Sequence, residues 1–196
     1  YQTYVEILRR ELVCAMGCTE PIAIAYCAAV ARKALGTCPA RVELAASGNI
    51  IKNVKSVIVP NTGGMRGLAA AAAIGTLAGD ADAKLQVLSK VTPEDIEKLP
   101  AFLERTAFEI SAAESEYLLD IEITLRAGSR FATVRAVKEH TNIILVETDE
   151  GVLFARDPEE ADKEQMQAPD YTLLNVEDIC DFADTCEISE VEEVLT

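Results

Sequence analysis

The hydrophobic pattern of the chain changes near residue 108, and this change limits the folds that the chain can adopt. Downstream of it, short runs of β-branched and aromatic residues alternate with polar ones, which is typical of strands. Gly128-Ser129 and Asp149-Glu150-Gly151 supply turns between some of these runs. The sequence therefore predicts a mostly antiparallel β unit over residues 108–156, with strands at 108–110, 118–126, 131–138, 143–147 and 152–155.

Before residue 108 the pattern is largely helical. The alanine-rich segment at 66–77 would allow another backbone to approach closely, which suits a buried central helix. At Thr92-Pro93-Glu94-Asp95 a threonine N-cap is followed by a proline at the first helical position. The expected fold class is α+β, with a helix-rich, motif-bearing region at 1–107. Its expected helices are 2–16, 20–35, 66–77, 82–90 and one from Thr92, with short strands at 42–46 and 56–59.

Negative charge is concentrated towards one end of the chain. The net charge is −15, and residues 147–196 hold 17 Asp or Glu against 2 Lys or Arg. Without a basic domain, nucleic acid is not an expected partner. The acidic residues either form a solvated surface or face a basic partner or another domain. Residues 157–196 are expected to form an acidic linker and helices, one capped by Asn175. A last helix from Ser189 has barely begun at Thr196, so we expect the natural protein to continue.

Six cysteines occur in the 196 residues, at positions 14, 18, 27, 38, 180 and 186. No secretory signal accompanies them, and a hydrophobic content of 49% is enough for a core without disulfide bonds. Reduced thiols in the cytoplasm are therefore the expectation. No apolar run has the length and purity of a membrane span, so a membrane partner is not expected.

Cys18 is the leading candidate for a functional residue. It follows Cys14 by four positions and directly precedes Thr19-Glu20-Pro21, a good helix start. The N–H groups and the positive end of a helix dipole favour a thiolate at such a place, which could bind a metal or an iron–sulfur cluster. From the spacing alone, a small buried residue near a helix start is the commoner case, because no second cysteine pair lies nearby.

Two loops that follow predicted strands are the second candidate. The Ser47–Asn53 loop contains Asn49 and Lys52, and the other loop is Asn61-Thr62-Gly63-Gly64. The second loop precedes a helix, so its N–H groups could converge on an anion such as a carboxylate. Ordinary turn formation is the alternative, since asparagine and glycine are common turn residues.

His140 and Lys52 are the candidate acid–base groups. His140 is the only histidine of the chain and is followed by Thr141-Asn142. It could transfer a proton, or it could be an ordinary polar residue at the end of a strand. Lys52 could act as a base, an anion partner or a Schiff-base amine, and a surface lysine is the default.

Four segments taken together resemble one family. They are Cys-Ala-Met-Gly-Cys-Thr-Glu-Pro-Ile-Ala at 14–23, Ser-Gly-Asn-Ile-Ile-Lys-Asn-Val at 47–54, Val-Pro-Asn-Thr-Gly-Gly at 59–64 and His-Thr-Asn-Ile at 140–143. In this order they resemble the bacterial and archaeal L-cysteine desulfidase family, of the UPF0597 type. That family is related to the alpha part of iron–sulfur-dependent L-serine dehydratase. The resemblance covers essentially the whole chain, as the N-terminal half of a longer protein.

The resemblance implies a lyase that works without pyridoxal phosphate and carries an oxygen-sensitive 4Fe-4S cluster held by three cysteines. Cys18 matches one ligand, and the other two would come from the protein's own C-terminal half, which this chain lacks. Cys180 and Cys186 do not match those ligands. The chain alone is therefore expected to be unable to assemble the cluster and to be inactive.

The resemblance also suggests roles around a small amino acid, with L-cysteine favoured over L-serine. We expect Asn61, Thr62 and Gly63 to bind the substrate carboxylate. Lys52, His140 or a group in the absent half would remove the α-proton. Elimination would release sulfide or water, and then ammonia and pyruvate. The remaining pocket residues are expected to be Ser47 and Asn49 beside Lys52, and Asn142 beside His140.

A different class of function is also possible. The same thiol and loops could belong to a non-catalytic regulatory module that binds a thiol or another small molecule. The sequence leaves open whether the protein forms a homo-oligomer. The iron content and sulfide release of the full-length protein would separate the two functions.

Overall fold

A computed structural model of the chain describes residues 1–12, 14–159 and 169–195. The chain divides into two compact units. The larger unit is Ala15–Pro158, and the smaller one combines Tyr1–Cys14 with Glu159–Thr196.

The helices and strands are numbered along the chain. The helices are α1 (Gln2–Glu11), α2 (Thr19–Leu35), α3 (Gly48–Val54), α4 (Gly67–Ala78), α5 (Pro93–Arg105), α6 (Val176–Thr185) and α7 (Ile188–Leu195). The strands are β1 (Arg41–Ala46), β2 (Ala107–Ala112), β3 (Asp120–Ala127), β4 (Arg130–Val137), β5 (Ile143–Thr148) and β6 (Gly151–Ala155). This content confirms the α+β class.

All six of these strands form one sheet in the order β2-β1-β3-β4-β5-β6. β1 and β2 are parallel, and every other neighbouring pair is antiparallel. Leu44 of β1 stands opposite Ile123 of β3, which fixes the register in the middle of the sheet. Because β1 comes from the helix-rich region, the boundary predicted at 107/108 falls within this single sheet.

One face of the sheet is apolar and packs against α2. The other face carries polar side chains, among them Glu43, Glu122 and Thr133. This alternation is the period-2 pattern expected of strands that bury one face. The buried apolar residues of the central strands are Val42, Leu44, Ile121, Ile123, Leu125, Ala132, Val134 and Ala136.

Helices α2 and α4 cross at very short range because both present small residues. An ideal Cβ placed on Gly75 would lie 2.2 Å from the carbonyl oxygen of Ala25. One turn later, a Cβ on Gly79 would lie 2.7 Å from the Cβ of Ala29. The alanine-rich helix expected at 66–77 is therefore observed, and most of its residues are buried.

Four local predictions were wrong. The helix predicted at 2–16 ends at Glu11, because Leu12 is already extended. Residues 47–53, predicted as a loop, form most of α3, and the strand predicted at 56–59 is reduced to an isolated bridge between Ile58 and Arg66. The helix predicted at 82–90 is a 3₁₀ turn at Lys84–Gln86 among other turns. Lys84 has a φ of 46°, in the left-handed region, which a continuous α-helix does not accommodate.

The predicted cap of α5 is confirmed, and its removal should be measurable. The Thr92 hydroxyl accepts from the Asp95 N–H at 3.3 Å, and the Asp95 carboxylate accepts from the Thr92 N–H at 3.0 Å. Thr92→Ala is expected to lower the free energy of unfolding by about 1 kcal/mol. Urea denaturation should detect this loss. Ser129→Ala, at an exposed turn, is the control, and equal losses for both variants would contradict the capping role.

The smaller unit contains α1, α6 and α7. The Tyr1 and Tyr4 rings pack on Phe182 of α6, with ring centroids 5.4 and 5.2 Å away. Asn175 caps α6 as predicted, since its side chain accepts from the Asp178 N–H at 2.9 Å. Residues 160–168 of the predicted acidic linker lie outside the described residues. Among the helices that the structure describes, none combines the length and apolarity needed to cross a bilayer.

Candidate functional site

Cys18 occupies the N-cap position of α2 and is exposed. The preceding Gly17 has a φ of 136°, and a Cβ there would lie 3.3 Å from Cγ of Pro60. The cysteine-bearing segment therefore contacts the loop that contains Asn61–Gly64. Two of the segments singled out in the sequence meet at this point.

Glu20 connects Cys18 to a third segment. The Cys18 thiol donates to Oε2 of Glu20 at 3.0 Å, and Nδ2 of Asn53 donates to Oε1 of the same carboxylate at 3.1 Å. Asn53 lies on α3 directly after Lys52. One carboxylate thus joins the first turn of α2 to the helix formed by the Ser47–Asn53 segment.

His140 lies close enough to Glu20 for the two groups to influence each other's pKa. His140 is half-buried, and this burial lowers the pKa of its imidazole, while the carboxylate of Glu20 opposes the shift. Hydrogen bonds join Cys18, Glu20 and Asn53, and His140 lies within electrostatic range of Glu20. These four residues form the Cys18 cluster.

The pKa of Cys18 differs from the sequence expectation. A helix N-terminus favours a thiolate, but partial burial and the hydrogen bond to Glu20 raise the pKa of Cys18. The hydrogen bond from Cys18, followed by that from Asn53, lowers the pKa of Glu20. The thiol form of Cys18 and the carboxylate form of Glu20 stabilise each other.

The loop expected to bind a carboxylate has two exposed positions and one buried one. Asn61 is exposed, with a φ of 54°, and its amide donates to the Leu88 carbonyl at 2.9 Å. Gly63 is exposed, with a φ of 69°, a conformation that glycine adopts at little cost. Thr62 is buried, and its hydroxyl donates to the Val59 carbonyl at 2.7 Å. The Thr62 side chain thus stabilises the loop itself.

Two other predicted residues also hold backbone in place. The buried Ser47 hydroxyl donates to the Leu118 carbonyl at 2.7 Å. The amide of the buried Asn142 donates to the Val137 carbonyl at 2.9 Å, and its oxygen accepts from Arg156. These bonds support the segments that carry Lys52 and His140, and a role at the substrate stays a prediction.

Asn49 and Lys52 are both exposed on the short helix α3. Lys52 is the residue next to Asn53, whose amide is bound to Glu20. The backbone of α3 therefore places Lys52 near the Cys18 cluster and leaves its side chain accessible. Asn49 and Lys52 keep their predicted roles as untested expectations.

Cys18 could supply a ligand to an iron–sulfur cluster. Cys18 offers an exposed thiol at a helix N-terminus. Cys27 is fully buried, which raises its pKa to about 12 and makes it an unsuitable ligand. Within residues 1–12, 14–159 and 169–195, no group of three or more His, Cys, Asp or Glu side chains could hold a metal ion. A complete iron–sulfur site would therefore need ligands from outside these residues.

Glu20 and Asn53 were not assigned roles from the sequence. Both stand within segments already singled out, Glu20 two residues after Cys18 and Asn53 one residue after Lys52. An acidic residue in the first turn of a helix is usually explained by the helix dipole alone. The hydrogen bonds across the two segments could not be deduced from that pattern.

The chain is similar over its whole length to several bacterial proteins. A UPF0597 protein of Treponema denticola is 43% identical over 195 residues, which are 100% of this chain and 45% of that protein. A UPF0597 protein of Desulfitobacterium hafniense gives the same identity and coverage, and one of Finegoldia magna is 42% identical over 200 residues. The chain spans just under half the length of these relatives. No family model and no solved structure matches it.

Proposed function

The chain belongs to the UPF0597 family, and from this premise we propose that it is part of an iron–sulfur lyase acting on a small amino acid. The lyase, of the L-cysteine desulfidase or L-serine dehydratase kind, releases sulfide or water, ammonia and pyruvate without pyridoxal phosphate. The six thiols, all unpaired, fit a reducing compartment, and we place the reaction in the cytoplasm.

The observation that carries the proposal is the Cys18 cluster. The exposed thiol of residue 18 and the amide of residue 53 bind one carboxylate, and the imidazole of residue 140 lies within electrostatic range of it. If these residues only stabilised the fold, buried hydroxyl and amide groups would be enough. An accessible thiol among them would then not be needed. Titratable groups gathered at an accessible point of the surface are typical of a catalytic or binding site.

Cys18 would hold one iron of a 4Fe-4S cluster, with the other ligands supplied by the part of the protein outside this chain. When bound, the cluster supplies a Lewis acid for the sulfur or oxygen atom that leaves the substrate. Without iron, the thiol of Cys18 donates to Glu20, which is also bound by Asn53 of α3. Cys18 would lose this proton when its thiolate binds iron.

Residues of this chain perform the steps around the α-carbon. Asn61 and the N–H groups near Gly63 bind the carboxylate, which needs accessible donors. His140 and Lys52 are the candidate acceptors of the α-proton. Burial favours the neutral imidazole of His140, the form that accepts a proton. Asn49 contributes to the same pocket. Ser47, Thr62 and Asn142 support the backbone segments that line it.

The test uses the full-length protein purified without oxygen. We expect about four irons per chain with matching acid-labile sulfide, and release of sulfide and pyruvate from L-cysteine. The 196-residue chain, treated identically, is the control and should lack both cluster and activity. If only L-serine is turned over, the proposed site stands and the substrate is L-serine instead of L-cysteine. A reconstituted protein that is colourless and releases no pyruvate would refute the lyase and leave a small-molecule-binding module.

A further inference from the structure

A groove runs between α2 and the edge strand β6, and Thr141, the residue after His140, is among the residues that line it. Tyr26 and Val30 of α2 form one wall, and Val146 of β5 with Phe154 of β6 forms the floor. The cavity has a volume of about 390 Å³ and opens to solvent. Val146 and Phe154 are opposite each other in the β5–β6 ladder, so they share one face of the sheet.

The groove exists because α2 does not cover the whole apolar face. The helix contacts β3, β4 and part of β5. An α-helix about 10 Å across covers roughly two strands that lie about 4.8 Å apart. The apolar face of β5 and β6 therefore remains uncovered, and a second helix could pack on it. Phe154, which lies on this face opposite Val146, is 43% exposed.

The charged groups at the rim already have partners. Lys33 binds Asp82 at 2.6 Å, and Arg156 donates to the Ile143 carbonyl at 3.1 Å and to Asn142. The charged side chains at the rim are thus ion-paired or hydrogen-bonded within the chain, and they surround an apolar floor. Such a groove fits an apolar helix face better than an ionic ligand.

We propose that, in the full-length protein, an amphipathic helix from the region outside these 196 residues packs in the groove between α2 and β6. The matched relatives have more than half of their length outside the shared region, so sequence to form this helix is present in such proteins. Native proteins cover or charge an exposed apolar edge strand, because it otherwise promotes aggregation. The helix would complete the second layer over β5 and β6.

The test places the photoreactive amino acid p-benzoylphenylalanine at position 154 of the full-length protein. This replacement keeps an aromatic ring at a partly exposed position. After irradiation, mass spectrometry should identify a cross-link to a peptide outside residues 1–196 of the same molecule. Mixing isotopically light and heavy protein separates cross-links within one molecule from those between two. The readout does not depend on lyase activity, so it fails or succeeds independently of the proposed reaction.

Position 110 provides the matched control. Ile110 is also 43% exposed and lies on β2, at the opposite edge of the sheet. The same probe there should give a different peptide or none. A cross-link from position 154 to residues 1–196, to a second molecule, or to nothing in the folded protein would overturn the proposal. If the variant at 154 does not fold, Val30, which lines the same groove from α2, is the second position, with the same expected and contradicting results.

Discussion

Replacing Gly75 with alanine is expected to destabilise the chain by roughly 3 kcal/mol, at the upper end of the usual cost of overpacking a core. The new methyl group would lie 2.2 Å from the oxygen and 2.6 Å from the Cα of Ala25. These are backbone atoms of a buried helix and cannot rotate away. Helices α2 and α4 would have to move apart, which disturbs packing along both.

The measurement is the urea midpoint of Gly75→Ala compared with that of Gly48→Ala. Gly48 is the first residue of α3, and no atom lies within 4 Å of its ideal Cβ. Gly48→Ala should be neutral or stabilise the chain by up to about 1 kcal/mol, since it reduces the entropy of the unfolded state. A midpoint for Gly75→Ala equal to that of Gly48→Ala would show that α2 and α4 do not cross at this distance.

The close crossing of α2 and α4 also affects the candidate functional site. α2 begins directly after Cys18, and α4 begins shortly after the Asn61–Gly64 loop. The distance between the two helices therefore sets how closely the cysteine-bearing segment approaches that loop. Gly75 is remote from the thiol in sequence, yet we expect its replacement to disturb the contact between Gly17 and Pro60.

Features with a local physical cause could be predicted from the sequence. Strands β2 to β6 follow from runs of β-branched and aromatic residues, and β4 also shows the alternating burial of a strand with one buried face. The caps of Thr92 and Asn175 follow from side chains that satisfy the first N–H groups of a helix. The left-handed Gly36 at the end of α2 is a third such case.

Features that depend on distant partners could not be predicted. β1 pairs in parallel with β2 across more than sixty residues, and nothing near Val42 specifies that neighbour. Residues 48–54 are helical although their asparagines favour turns, because Ile50 and Val54 are buried in the core. Tertiary burial overrides local preference in this segment.

The candidate site also combines features that could be predicted from the sequence with features that could not. A helix starts after Cys18 as its neighbours predict, whereas the pKa of its thiol is raised because Glu20 lies against it. Asn53 and His140 reach this point only through the arrangement of α3 and the sheet. Residue types thus indicated which segments matter, and the fold determined which atoms meet.

Cys18→Ala in the full-length protein is expected to reduce bound iron and lyase activity to background while the protein stays folded. Cys18 is exposed, so truncating it removes little packing and should change the free energy of unfolding by no more than about 0.5 kcal/mol. Cys38→Ala is the matched control, because Cys38 is also exposed but lies in the turn before β1. Iron content, the visible absorption of the cluster and pyruvate release are measured for both variants. If Cys18→Ala keeps its iron and its rate, Cys18 is not a ligand. If both variants lose them equally, the loss reflects general damage, because a specific ligand leaves the Cys38 variant unaffected.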